Sequence, residues 1–285
     1  MPAAASKAVL ITGCSTGIGR AAAERLAKRG HTVYATARRR ETLSGLEAAG
    51  CRTLALDVTD EASMQAAVDA VVAAEGAVGV LVNNAGYSQS GAIETVSMDD
   101  VRRQFETNVF GLIRMGQLVL PSMREQGWGR IVQVSSMGAN FTFPGGGLYH
   151  ATKYAVEAIS DALRFEVQGF GVDVAVIQPG IIRTEFDKTA VGGIDREGVA
   201  GGPYAHFNAA VAKATANVYK GPVSKLGGGP GAVAKTIEKA ITADKPKTRY
   251  RVTPSAHLMI NQRRVMSDRL WDRMVATQFP RPGKG

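Results

Sequence analysis

What most constrains this chain is an alternation. Short β-branched or apolar runs at 8–12, 32–36, 53–57, 79–83, 129–135 and 172–178 are separated by longer segments at 18–29, 40–49, 61–75, 98–124 and 148–168, in which apolar residues recur at helical spacing. Gly30 just past the first of these reads as a helix C-cap. Two strands joined through a helix must run parallel, because the crossover returns the chain to the end of the sheet where it began. Repetition of the unit predicts an α/β fold, a doubly wound parallel sheet of the Rossmann-like kind with helices on both faces. Such sheets bind ligands beyond the carboxyl ends of their strands. The loops that follow strands are therefore where functional residues are to be sought.

The 285 residues suit a single domain, with 6–190 as the core. Beyond Pro179 the pattern changes. Nine glycines lie between Val191 and Pro230, around a helix-like stretch at 204–219, and this composition suits a substrate lid over 191–230. A C-terminal substrate-binding extension at 231–285 is expected to contain a helix at 231–243, a strand at 248–252 and one amphipathic helix at 256–278.

The first strand runs into Thr12-Gly13-Cys14-Ser15-Thr16-Gly17-Ile18-Gly19, which opens the first helix. Glycines there allow a tight turn and close backbone approach, and the helix N-terminus offers unpaired N–H groups and a positive dipole end to a pyrophosphate. A lone glycine pattern would say little; strand, spacing and helix together point to a dinucleotide site.

With those residues in view, the chain resembles the short-chain dehydrogenase/reductase family over roughly residues 6–190. Thr-Gly-x-x-x-Gly-Ile-Gly is that family's cofactor signature, and Asn83-Asn84-Ala85-Gly86 and Pro179-Gly180 match its other two loop motifs. The resemblance implies nicotinamide-cofactor contacts at Gly13, Ser15, Thr16, Gly17, Ile18, Gly19, Asn84, Ala85, Gly86, Pro179 and Gly180. Asp57 and Val58 match positions flanking the adenine, and Ile182 and Thr184 match positions near the carboxamide.

Tyr149-His150-Ala151-Thr152-Lys153 reproduces the family's Tyr-x-x-x-Lys, and a spacing of four puts both side chains on one helical face. The chemistry requires that pairing. Reduction of a carbonyl needs a proton donor at the oxygen, and a phenol with a free pKa near 10 is a poor acid/base near neutrality unless a neighbouring cation favours its ionised form. Ser136, thirteen residues before the tyrosine at a strand end, matches the serine that holds the substrate oxygen; strand alternation sends Ser135 to the opposite face. The resemblance further implies that Lys153 also holds the ribose and that the helix of Asn108 carries a water linking Lys153 to solvent. His150 lies about 100° around the helix from Tyr149, so we read it as packing or surface. His31, His206 and His257 are scattered, and no metal site is expected. Cys14 and Cys51 lack metal or disulfide spacing and read as reduced; Cys14 reads as a small packed residue.

Cofactor choice is expected at the end of the second strand. Ala37 stands where NAD-preferring relatives place Asp, so no carboxylate meets the adenosine ribose, and Arg38 follows, with Arg39 and Arg40 adding positive potential. The expectation is NADP(H), with Arg38 and the Thr16 hydroxyl on its extra phosphate. The segments Ala35-Thr36-Ala37-Arg38 and Thr107-Asn108-Val109-Phe110-Gly111 and the long C-terminus resemble the hydroxysteroid and retinol dehydrogenase branch, implying a bulky apolar substrate; a lipid-derived ketone or polyketide fits equally. A member without catalysis, serving as an NADP(H)-sensing binding protein, is the alternative, and the filled tetrad of Asn108, Ser136, Tyr149 and Lys153 argues against it.

The net charge of +9 is uneven: residues 1–190 hold 18 Lys+Arg against 19 Asp+Glu, and 191–285 hold 16 against 6. No nucleic-acid motif accompanies the basic third, so solvated Arg-rich helix faces account for it, with nucleic acid not expected and peripheral membrane contact a minor reading. No apolar run is long enough to span a membrane and no secretory signal is present, which places the expected protein in the cytosol. The family's habit of pairing its long helices implies a homodimer or homotetramer through 98–124 and the helix beginning near Tyr149.

Overall fold

The computed structural model describes residues 4–185 and 202–283. Seven strands, β1 (Val9–Ile11), β2 (Val33–Ala37), β3 (Arg52–Ala55), β4 (Val80–Asn83), β5 (Gly129–Val134), β6 (Val172–Pro179) and β7 (Arg249–Val252), form one sheet in the order β3-β2-β1-β4-β5-β6-β7. Every pairing is parallel. The order reverses direction between β1 and β4, which sets the binding crevice at their carboxyl ends.

Alternation along each strand builds two cores. Val9 and Ile11 pack on one face with Leu26 of α1 (Gly17–Lys28) and Val233 and Ile237 of α8 (Pro230–Thr242). Leu10 and Leu81 face the other way, onto Val68 of α3 (Glu61–Glu75) and Met115 and Val119 of α5 (Gly111–Glu125). Burial on both faces explains why the strands read as continuous apolar runs. Buried Arg130 of β5 donates to the carbonyl oxygens of Ala240 (2.9 Å), Ile241 (3.0 Å) and Ala243 (2.6 Å), closing the C-terminus of α8.

Several elements differ from the sequence expectation. The segment 40–49 is a short 3₁₀ turn followed by α2 (Ser44–Ala48). The expected helix at 98–124 is α4 (Met98–Phe105), a π turn at Glu106–Phe110, and α5; the inserted residue leaves hydrophobic periodicity nearly intact. The expected final helix divides into α9 (Pro254–Val265) and α10 (Asp268–Ala276), because Ser267 starts a new helix with its hydroxyl accepting from the Leu270 amide. Between β5 and β6 lies α6 (Gly147–Val167), and α7 (Ala205–Lys220) follows β6. Of the expected lid, 191–201 lies outside the described residues; the remainder holds a 3₁₀ turn at Gly202–Tyr204, α7 and a 3₁₀ turn at Pro222–Leu226. Among the described residues no helix is long and apolar enough to cross a membrane.

Candidate active site

The phosphate turn is built for close approach. Gly13 and Gly17 have φ of +72° and +60°, and a Cβ on Gly13 would come within 2.9 Å of the Ala85 backbone. Asn84 Nδ2 donates to the carbonyl oxygens of Thr12 (2.9 Å) and Gly13 (3.0 Å), while Thr12 Oγ1 accepts from the amides of Asn84 and Ala85, both at 3.0 Å. The Asn84 side chain thus braces the turn. Among the described residues no side chain caps α1, and its first turn holds no acid, so its N–H groups and dipole are left for a phosphate. Ser15 and Thr16 lie in this turn and Ile18 in the first turn of α1. A Cβ on Gly17 would touch Thr184 at 3.5 Å, so the segment after β6 meets the turn. These residues fit a dinucleotide.

Behind the turn, Ala37 ends β2 buried, and Arg38 points outward with no hydrogen bond or ion pair among the described residues. Its neighbours are engaged: Arg39 approaches Glu41 at 4.0 Å, and Arg40 donates to Thr53 at 3.1 Å and Glu47 at 3.4 Å. Asp57 Oδ1 accepts from the amide and hydroxyl of Thr59 at 3.0 and 2.8 Å, which fixes the loop after β3, and Val58 is buried beneath Gly111.

Lys153, Tyr149 and Asn108 gather beyond the carboxyl ends of β4 and β5. Lys153 is only 6 % exposed, and its ammonium donates to the Val134 carbonyl oxygen at 2.9 Å and lies 5.8 Å from the centroid of the Tyr149 ring. Burial pulls its pKa down from 10.5 to about 8, against the opposing pull of Glu157 one turn on. Glu157 is itself held by Gln178 (3.0 Å) and by Arg249 of β7 (2.8 Å). A Cβ on Gly86 would sit 3.1 Å from Asn108 Oδ1 and 3.7 Å from Lys153 Nζ, so glycine there keeps the two side chains in reach of the loop after β4. Asn108, in the π turn, accepts from the Tyr87 amide (3.0 Å) and donates to the Tyr87 carbonyl oxygen (2.9 Å) and Thr152 Oγ1 (3.1 Å). Its side chain therefore anchors the π turn to both the β4 loop and α6.

Ser136 is half-buried with its hydroxyl accepting from the Gly138 amide at 3.1 Å, whereas Ser135 is buried. His150 ties the serine loop to the tyrosine helix: its Nδ1 lies 2.7 Å from the Gly138 carbonyl oxygen and 2.8 Å from that of Phe141. Two acceptors at one nitrogen require that Nδ1 carries the proton. The ring fills the space beside Gly138 and Gly146, where a Cβ would come within 2.7 and 2.9 Å of it, and burial lowers its pKa. Sequence spacing placed His150 off the face of Tyr149 but gave no sign of this latch.

Pro179 and Gly180 close the crevice. The Gly180 amide donates to Val252 (3.0 Å) and the Ile181 amide to Ser255 Oγ (3.0 Å); a Cβ on Gly180 would collide with Thr253 and Ser255 at the start of α9. Ile182 is buried and bridges to Gly228. Burial pushes the Cys14 thiol up to about 12 and Cys51 to about 11, which removes both as nucleophiles. Among the described residues no cluster of His, Cys, Asp or Glu could hold a metal.

A nucleotide-ready turn, a parallel sheet with its switch point beside it and a buried Lys facing a Tyr define a Rossmann-fold oxidoreductase site. The chain belongs to the short chain dehydrogenase family, whose pattern matches residues 7–193. It is 40% identical over 178 residues to the 3-ketodihydrosphingosine reductase of Bacteroides thetaiotaomicron, a match covering 62% of this chain and 65% of that protein. It is 34% identical over 274 residues to the NADPH-dependent 3-dehydrocapnine reductase of Ornithobacterium rhinotracheale, covering 93% and 94% of the two chains. The crystal structure of a short-chain dehydrogenase from Streptomyces avermitilis superposes with a TM-score of 0.77 at 33% identity, covering 96% of each chain.

Proposed function

We propose that this chain is an NADP(H)-dependent reductase or dehydrogenase that moves a hydride between nicotinamide and the carbonyl or alcohol carbon of a bulky apolar substrate. The observation that carries the reading is the buried Lys153 ammonium beside the Tyr149 ring, in the crevice beyond the phosphate turn. NADP(H), when bound, supplies or accepts the hydride. In reduction Tyr149 gives its phenolic proton to the substrate oxygen, and in oxidation it takes that proton back. Ser136 donates a hydrogen bond to the same oxygen. Lys153 favours the ionised phenol and holds the ribose. Asn108 has both ends of its side chain occupied, so it supports proton supply to Lys153 by fixing the π turn against the loop after β4 and α6. Preformed donors orient the reaction.

Arg38, exposed and without a partner among the described residues, supports NADP(H), as does the cofactor in the name of the 3-dehydrocapnine reductase relative. The two reductase relatives support carbonyl reduction. Exposed Phe110 and Phe165, on the π turn and α6, support a homodimer or homotetramer through these helices; a monomer by light scattering at micromolar concentration would remove that part. The test of function is a panel of hydrophobic ketones, aldehydes and alcohols followed by nicotinamide absorbance, with cofactor binding measured separately. Turnover supports the reading; tight NADPH binding without turnover across the panel selects the silent sensor.

A further inference from the structure

A second feature lies next to the first turn of α6. An apolar cleft of about 700 Å³, open to solvent on one side, is lined by Ile93, Pro144, Phe207, Val275, Ala276 and Phe279, which come from the loop after β4, the turn before α6, α7, and α10 with its tail. Its volume is that of a typical small-molecule site. The walls are deliberately joined: the Gly91 amide donates to the Gly145 carbonyl oxygen (2.8 Å), the Ala92 amide to Asn208 Oδ1 (3.0 Å), and Tyr204 Oη to Glu94 (2.6 Å). Ile93 is 68 % exposed, which leaves a large aliphatic side chain open to water at this wall. Charged side chains, Glu94, Asp272 and Arg281, occur among the lining residues but make no buried polar receptor.

One short stretch of chain links the cavity wall to the helix of Tyr149. Pro144 and Gly145 form its wall, a Cβ on Gly147 would touch Ile93 at 3.4 Å, and Gly147 begins the helix that carries Tyr149 two residues later. None of the tetrad lines it, so a small ketone held at Ser136 and Tyr149 does not fill it. We infer that this cavity receives the hydrocarbon tail of the substrate, and that the substrate class is a ketone or secondary alcohol whose reacting carbon bears a long flexible alkyl chain. The inference rests on the proposed redox function for the identity of the head group, and on the cavity alone for the tail.

Trp271 reports on the site. It stacks on Phe143 at 5.6 Å between ring centroids, and Phe143 meets Phe279 of the cavity wall at 6.3 Å. Two measurements on the full chain test the inference: kcat/KM with NADPH for butanone, octan-2-one and tridecan-2-one, and the Trp271 emission titrated with tridecan-2-one. Each methylene that enters the cavity should raise kcat/KM about fourfold, the equivalent of about 0.8 kcal/mol. Ala276→Phe, which narrows the cavity, and Val275→Asp, which wets it, should flatten that rise and abolish the emission change while leaving butanone turnover as it was. Saturable emission change without any ketone reduction would sink the redox reading and keep the tail site. Reduction at a rate independent of chain length, with emission unmoved, would overturn the tail site and leave the redox reading standing.

Discussion

Exchange of the two residues that follow one another at the end of β2 should reset cofactor choice. Ala37 is buried at the strand end and Arg38 is exposed and uncommitted among the described residues, so the guanidinium is free to meet the phosphate that distinguishes NADP from NAD. A unit charge pair about 4 Å apart in water is worth about 1 kcal/mol, and a phosphate near two negative charges about doubles that. About 2 kcal/mol corresponds to roughly a thirtyfold preference, and tenfold, about 1.4 kcal/mol, is the floor we predict for kcat/KM with NADPH over NADH. Arg38→Ala should lower kcat/KM for NADPH by that factor and leave NADH unchanged. Ala37→Asp should place a carboxylate where it repels the phosphate and bonds a ribose hydroxyl, erasing or reversing the preference. Because Arg38 is exposed, the NADPH advantage should shrink as salt rises. Steady-state kinetics with both cofactors at fixed ionic strength decides it: equal use of NADPH and NADH by the unmodified protein at physiological salt, or an Arg38→Ala variant that loses both cofactors equally, would refute the reasoning.

Lys153 gives a pH prediction with a definite sign. Its pKa is depressed from 10.5 to about 8, so the side chain is a cation below that pH and neutral above it, and kcat/KM for reduction should fall about tenfold per pH unit above roughly pH 8. Since the unfolded chain holds this proton more tightly than the folded one, the same group should add stability as pH rises from about 8 to 10.5, visible as a rising denaturation midpoint over that window. Lys153→Met should lose both turnover and NADPH affinity in a binding titration; normal affinity would remove the ribose role. His150→Asn can still donate to Gly138 and Phe141 from its amide and should keep most of the turnover, whereas His150→Phe fills the space without the donor and should lower kcat about tenfold or more; equal activity of the two variants would show that the latch does not position Ser136.

The sheet and the crevice were legible because they depend on local signals. Six of the seven strands carry enough β-branched and apolar residues to stand out against helical spacing, and β7 showed itself as Arg249–Val252 within an otherwise helical C-terminal third. The phosphate turn was legible because only glycine suits the positive φ of Gly13 and Gly17. Alternation set Ser135 and Ser136 on opposite faces, and the family's spacing to the tyrosine chose Ser136. What escaped the sequence depends on partners far along the chain. The π turn at Glu106–Phe110 hides because one added residue barely shifts the apolar stripe, yet it positions Asn108. The break before α10 has a local sign, Ser267 followed by Asp268, that the continuous apolar periodicity around it masks. The His150 latch needs Gly138 and Phe141 from another loop, and the small size required at Gly180 becomes apparent only once α9 is packed against it.

The central claim is that Tyr149 moves the proton that accompanies hydride transfer. Tyr149→Phe removes only the phenolic oxygen, so single-turnover oxidation of bound NADPH by a reducible ketone measures it most directly. The account predicts a loss of at least about a hundredfold in the rate of that turnover with NADPH affinity nearly unchanged. Near-normal turnover in the Phe variant would contradict it.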